Sequence, residues 1–192
     1  MIKHPDQRVG IFIDVQNLYY SARNLFNARV NFGEIVKSGV AGRKLIRAIA
    51  YVVSTPTGEE KPFFEALVNL GIETKVRELQ IFLGGAKKAD WDVGIAVDMI
   101  RLSELLDIII IVSGDGDYVE VVEYLQNRGR QVEAMAFRET ASSRLIEAVD
   151  GFTDLSAHKD LFLIGAGGMQ NRASTTRRGR SNKWSKMIET IY

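Results

Sequence analysis

The sequence predicts an α/β fold, with a central parallel sheet and helices on both faces. Short apolar runs at 9–14 (VGIFID), 45–54, 108–112 and 131–137 alternate with stretches of helical pattern, and that alternation builds parallel sheets. The run IIIIV at 108–112 is too short for a helix and apolar throughout, as a strand buried on both faces must be. Two of the strands end in aspartates, one at Asp14 and one at Ser113-Gly114-Asp115-Gly116-Asp117. The carboxyl edge of a parallel sheet is where such folds bind ligands.

Taken in order, 9–14 is a strand and 15–26 (VQNLYYSARNLF) a helix with Leu18, Leu25 and Phe26 turned inward. Residues 27–42, with glycines at 33, 39 and 42, read as irregular. A second strand covers 45–54 and stops at the turn sequence Thr55-Pro56-Thr57-Gly58. Residues 60–70 form a helix with Pro62 in its first turn and Gly71 after its end. Residues 72–82 are extended. Residues 93–106 are an apolar helix with few polar interruptions, a pattern expected of a helix covered on more than one side. After the 108–112 strand, residues 118–128 are helical, with Val119, Val122 and Leu125 on one face and Gly129 as the stop. A strand at 131–137, a helix at 142–149 and a short strand at 152–155 complete the series.

The chain of 192 residues is 46% hydrophobic and 26% charged, enough for one α/β domain with a core, plus a tail. The division expected is a domain at 1–160 and a basic, Gly- and Ser-containing tail at 161–192. Cysteine is absent, which excludes a disulfide framework and a zinc–thiolate site, and two histidines argue against a histidine-rich one. The opening MIKHPDQ lacks the apolar core of a signal peptide and no run approaches membrane-spanning length, so a cytoplasmic protein is expected. The net charge of +1 conceals an asymmetry. Arg172, Arg177, Arg178, Arg180, Lys183 and Lys186 fall in a tail stretch without acids. A basic tail on a weakly acidic domain suits a polyanion such as nucleic acid, or is simply solvated. Residues 183–192 have the pattern of a short amphipathic segment that docks on a partner or a second subunit, so a homodimer or higher oligomer is open.

Asp14, Asp92, Asp115 and Asp117 are the candidate site. Carboxylates held together repel unless a cation sits between them. An oxygen-only donor set favours Mg²⁺ or Mn²⁺. Asp92 and Asp117 also stand where helix caps belong, and the alternative for Asp115, between two glycines, is a role in its turn alone. Asn17, one helical turn past Asp14, can face the same crevice. Asp98 lies in the apolar helix six residues after Asp92, turned roughly 120° away, where a buried pair with Arg101 is an alternative. Lys87 and Lys88 are placed to hold a phosphate backbone, and Trp91 either stacks on a base or packs on the sheet.

The segments VGIFIDVQNLYYSAR, KKADWDVGIAVDMI and IIIIVSGDGDYVEVVEYLQNRGRQVEA, in this order and spacing, resemble a LabA-like NYN domain, a branch of the PIN-like nucleases. The resemblance covers about residues 8–155. It implies a PIN-like three-layer fold with strand order 3-2-1-4-5 and metal-dependent cleavage of RNA. By position, Asp14, Asp92, Asp115 and Asp117 match the family's acids, which implies catalytic and metal-holding roles. Asn17, Asp98 and Ser113 match its accompanying polar residues, and Lys88 would attract substrate. Ala89-Asp90-Trp91 departs from the usual small, apolar run before Asp92. The expected function is a divalent-metal-dependent ribonuclease, endonucleolytic rather than exonucleolytic. The alternative is a non-catalytic regulator that binds RNA or protein with the same fold.

Overall fold

The structure, a computed structural model, describes residues 3–55, 58–81, 87–88 and 90–165. The basic tail and the amphipathic segment expected at 183–192 lie outside the described residues. Six strands form one sheet: β1 (Arg8–Asp14), β2 (Lys44–Ser54), β3 (Glu73–Glu78), β4 (Ile108–Val112), β5 (Gln131–Ala136) and β6 (Gly151–Asp154). Their order is β3-β2-β1-β4-β5-β6, and every neighbouring pair is parallel. The expected 3-2-1-4-5 order is present, extended by β6 at the edge. β1 and β4 are neighbours, with Ile11 opposite Ile110 and Ile13 opposite Val112.

Side chains alternate across a strand, and here both sets are buried. Val9, Ile11, Ile13, Ile108, Ile110 and Val112 share one core with helices α1 (Val15–Phe26), α2 (Phe32–Val40) and α3 (Lys61–Asn69), through residues such as Leu18, Ile35 and Leu67. Phe12, Ile49, Ile109 and Ile111 share the other with α4 (Asp92–Leu102), α5 (Val119–Asn127) and α6 (Ser143–Ala148). A last short helix, α7 (Lys159–Phe162), returns Phe162 to the first core. No helix among the described residues is long and apolar enough to cross a membrane.

Two expectations need correction. Residues 27–42 are not irregular: they hold a short strand, Arg29–Val30, paired antiparallel with Leu163–Ile164, and then α2. Asn31 caps α2, its side chain accepting from the Glu34 N–H at 3.3 Å. Phe32, Ile35, Val36 and Gly39 then recur at helical spacing, a pattern that the glycines disguise. Gly39 is needed for packing, since a Cβ there would lie 3.2 Å from Ile11 Cδ1 and 3.3 Å from Met135 Sδ. The second correction concerns α4. Only Ile95, Asp98 and Met99 on it are buried, while Val93, Val97 and Ile100 are exposed. Among the described residues it is covered on one side.

A buried ion pair closes α2 against the sheet. Arg43 donates to the Gly39 and Val40 carbonyls at 2.6 and 3.1 Å, and its guanidinium meets both carboxylate oxygens of Glu133 on β5 at 2.6 and 3.0 Å. Removing one partner of such a pair strands the other in the core. Glu133→Ala should therefore lower the free energy of unfolding by about 3–5 kcal/mol in urea titration at pH 7. An unchanged midpoint would contradict this.

Candidate metal centre

Chain order reverses between β1 and β4: from β1 the chain proceeds to β2 on one side, and from β4 to β5 on the other. This is the switch point at which open parallel sheets leave a crevice at their carboxyl edge. Asp14 ends β1 and caps α1, its Oδ1 accepting from the Asn17 N–H at 3.0 Å. The Ser113 hydroxyl, directly after β4, donates to Asp14 Oδ2 at 3.4 Å and accepts from the Asp115 N–H at 3.2 Å. Asn17 Oδ1 accepts from the Gly114 N–H at 3.0 Å. These bonds stitch the first turn of α1 to the loop after β4.

That loop is held from behind as well. The Ser142 N–H donates to the Gly114 carbonyl at 2.8 Å. A Cβ on Gly114 would lie 2.9 Å from Ala141 Cα, and one on Gly116 would lie 2.7 Å from Ser142 Oγ. Neither glycine has a positive φ. The two are there for close approach to residues 140–142, not for a left-handed turn.

Asp115 caps a single 3₁₀ turn, Gly116–Tyr118, by accepting from the Asp117 N–H at 3.0 Å. Asp92 opens α4, and the Tyr118 hydroxyl donates to its Oδ1 at 3.1 Å. One carboxylate oxygen from each of Asp92, Asp115 and Asp117 lies within 4.8 Å of the other two. Asp14 is not one of this triad and is the most buried of the four, at 7% exposure. The capping alternatives fall out in reverse. Asp14 and Asp115 cap, whereas the caps before α4 and α5 are Trp91 and Tyr118, neither making a side-chain cap bond.

Burial pushes the Asp14 carboxyl up from its ordinary 3.8 to about 6, the Asn17 N–H and Ser113 hydroxyl oppose the shift, and the charges of Asp92 and Asp115 add to it. Asp92 is raised too, by burial first and by Asp115, Asp90 and Asp117, against the hydrogen bond from Tyr118. Burial and the surrounding carboxylates also raise the Tyr118 hydroxyl, so it stays protonated and donates. No Lys or Arg among the described residues forms an ion pair with any of the four aspartates. The donor set is oxygen-only and lacks a countercharge, which fits a hard divalent cation.

The NYN domain model matches residues 8–156, from the start of β1 to just past β6. The chain belongs to the NYN-domain family. Within it the chain is LabA-like, being 26% identical to the low amplitude and bright protein LabA of Synechococcus elongatus over 164 residues, 78% of this chain and 84% of that one. A crystal structure of a Vibrio parahaemolyticus protein of unknown function is 28% identical, with a TM-score of 0.76, over 85% of this chain and all of that one.

Asp98 is not part of the triad in this NYN domain. It is buried and accepts from Lys75 Nζ at 2.6 Å and from the Tyr51 hydroxyl at 2.8 Å. The expected buried pair exists, but with Lys75 of β3 and not with Arg101. Trp91 packs: its Nε1 donates to the Val52 carbonyl at 2.9 Å, Tyr51 lies edge-on at 5.3 Å, and Arg77 covers the ring at 4.2 Å. The Lys87 and Lys88 side chains lie outside the described residues. The residue that sequence reasoning missed is Tyr118. It reads as an apolar helix position, and nothing local reveals that its hydroxyl reaches Asp92, 26 residues away.

Asp14→Asn retains a good helix cap and removes a buried charge. Because the folded-state carboxyl titrates near 6 and the unfolded one near 3.8, ionised Asp14 disfavours folding above pH 6. That penalty fades as pH falls toward 4. In EDTA the variant should be about 1–3 kcal/mol more stable than the parent at pH 7 and equal to it near pH 4, by chemical denaturation. A variant less stable at pH 7 would contradict this.

Proposed function

We propose that this chain is a divalent-cation-dependent ribonuclease that hydrolyses RNA phosphodiesters at the crevice between β1 and β4. The observation that carries this reading is the triad of Asp92, Asp115 and Asp117, with oxygens within 4.8 Å of one another and no cationic partner among the described residues. Membership in the NYN family, with its PIN-like fold, supports RNA as the substrate class.

In this reading Asp92, Asp115 and Asp117 hold a cation, Mg²⁺ or Mn²⁺. Such a cation supplies charge neutralisation at a phosphoryl oxygen and lowers the pKa of water. Asp14, with one oxygen held by the Asn17 N–H and the other by the Ser113 hydroxyl, presents a fixed carboxylate at the back of the crevice that orients the attacking water. Tyr118 fixes Asp92 through its hydroxyl, and Asn17 holds the Gly114 backbone in place. Asp98 acts through Tyr51 and Lys75, away from the chemistry. The direct cation ligands are thus Asp92, Asp115 and Asp117, with Asp14 behind them. Lys88 and the tail arginines draw the RNA backbone towards the domain.

The test is cleavage of labelled single-stranded and structured RNAs with Mg²⁺, with Mn²⁺ and with EDTA. Cleavage should need metal and fall by at least about 10²-fold in Asp115→Asn and in Asp14→Asn, in line with the loss of one electrostatic contributor to the transition state. Tyr118→Phe should cleave more slowly while remaining metal-dependent. Equal cleavage by parent and Asp115→Asn would mark the activity as foreign. RNA binding without cleavage in either metal would favour a non-catalytic regulator.

A further inference from the structure

A cavity of about 330 Å³ opens on the face of the sheet covered by α1, α2 and α3. Its walls are mostly apolar and include Val15, Tyr19, Phe63, Ala66, Leu67 and Leu70. Two residues at its mouth, Leu70 and Ile164, are 54% and 44% exposed. The ribonuclease reading makes no use of it. A volume and lining of this kind accept apolar side chains or a small ligand.

We propose that this cavity is the docking site of the chain's own segment 183–192 (KWSKMIETIY). Trp184, Met187, Ile188 and Ile191 recur at i, i+3, i+4 and i+7, an apolar stripe of roughly 100° at 3.6 residues per turn. Lys186 and Glu189 fall on the opposite side of the same helical projection. The position at which the chain leaves the described domain identifies the occupant. Leu163–Ile164 pairs with Arg29–Val30, and Ile164, Arg29 and Val30 all line the cavity, so the tail begins at its mouth. Residues 166–183 contain several Gly and Ser, and a Gly/Ser linker of that length spans about 23 Å. At that tether length the effective concentration is of millimolar order, so even a weak contact is occupied. The exposed stripe on α4 is a poorer destination, because it lies on the other face of the sheet from Phe162 and Leu163. Docking at 183–192 returns the basic run Arg172–Arg180 to the domain as a loop fixed at both ends, rather than a free tail.

Trp91 and Trp184 are the two tryptophans of the chain, so subtracting the emission of Trp184→Phe from that of the full-length parent isolates the Trp184 signal. The docked segment predicts a blue-shifted Trp184 emission, several-fold less quenchable by acrylamide than N-acetyltryptophanamide. Two cavity variants, Ala66→Phe at an exposed lining position and Leu70→Glu at the mouth, should each move that signal to solvent values with the far-UV spectrum retained. Solvent-like emission in the parent overturns the proposal. So does shielding that survives both variants, which places the segment elsewhere. Shielding lost on dilution in step with a dimer in sedimentation velocity also overturns it, because the occupant is then the segment of a second copy.

Discussion

Four carboxylates converge at the crevice, and the fold around them works against their mutual repulsion. Asp14, Asp92, Asp115 and Asp117 arrive from the end of β1, the start of α4 and the loop after β4. None has a Lys or Arg partner among the described residues. Neutral donors fix three of them: the Asn17 N–H and the Ser113 hydroxyl on Asp14, the Asp117 N–H on Asp115 and the Tyr118 hydroxyl on Asp92. Neutral donors orient a carboxylate without cancelling its charge. The negative potential therefore stays in the crevice for a cation to meet.

Three other acids of the domain are paired with cations instead. Glu133 has Arg43, Asp98 has Lys75, and Asp107 has Arg8, whose guanidinium holds its carboxyl down at about 2. Each of these pairs joins two elements of the fold, and each acid meets a full countercharge. At the crevice, aspartates are brought together with no Lys or Arg partner among the described residues, and two of them are pushed up in pKa by burial. That contrast marks the crevice as the candidate site, because functional sites are where perturbed carboxylates in a cleft concentrate.

Much of this arrangement is legible in the sequence. The buried strand IIIIV and the aspartates ending two strands suffice to place Asp14 and Asp115 on one edge, and β1 and β4 prove adjacent. Two kinds of feature are not legible. One is local structure in which glycine serves packing: Gly39 hides the periodicity of α2 because it is selected for contact with Ile11 and Met135. The other is long-range hydrogen bonding by residues that look apolar or incidental. Tyr118 to Asp92 and Lys75 to Asp98 join positions 26 and 23 residues apart, and no spacing rule carries such a contact. Gly114 and Gly116 likewise serve close approach, to the backbone of residues 140–141 and to the Ser142 side chain, and neither has a positive φ.

The proposed ribonuclease requires that Asp92, Asp115 and Asp117 form one divalent-cation site. Thermal unfolding of EDTA-treated protein at pH 7, with and without millimolar Mn²⁺, tests it most directly, because a ligand that binds only the folded state stabilises it by mass action. A rise of several degrees is expected for the parent and none for Asp115→Asn combined with Asp117→Asn. No rise in the parent, or the same rise in the double variant, would contradict it.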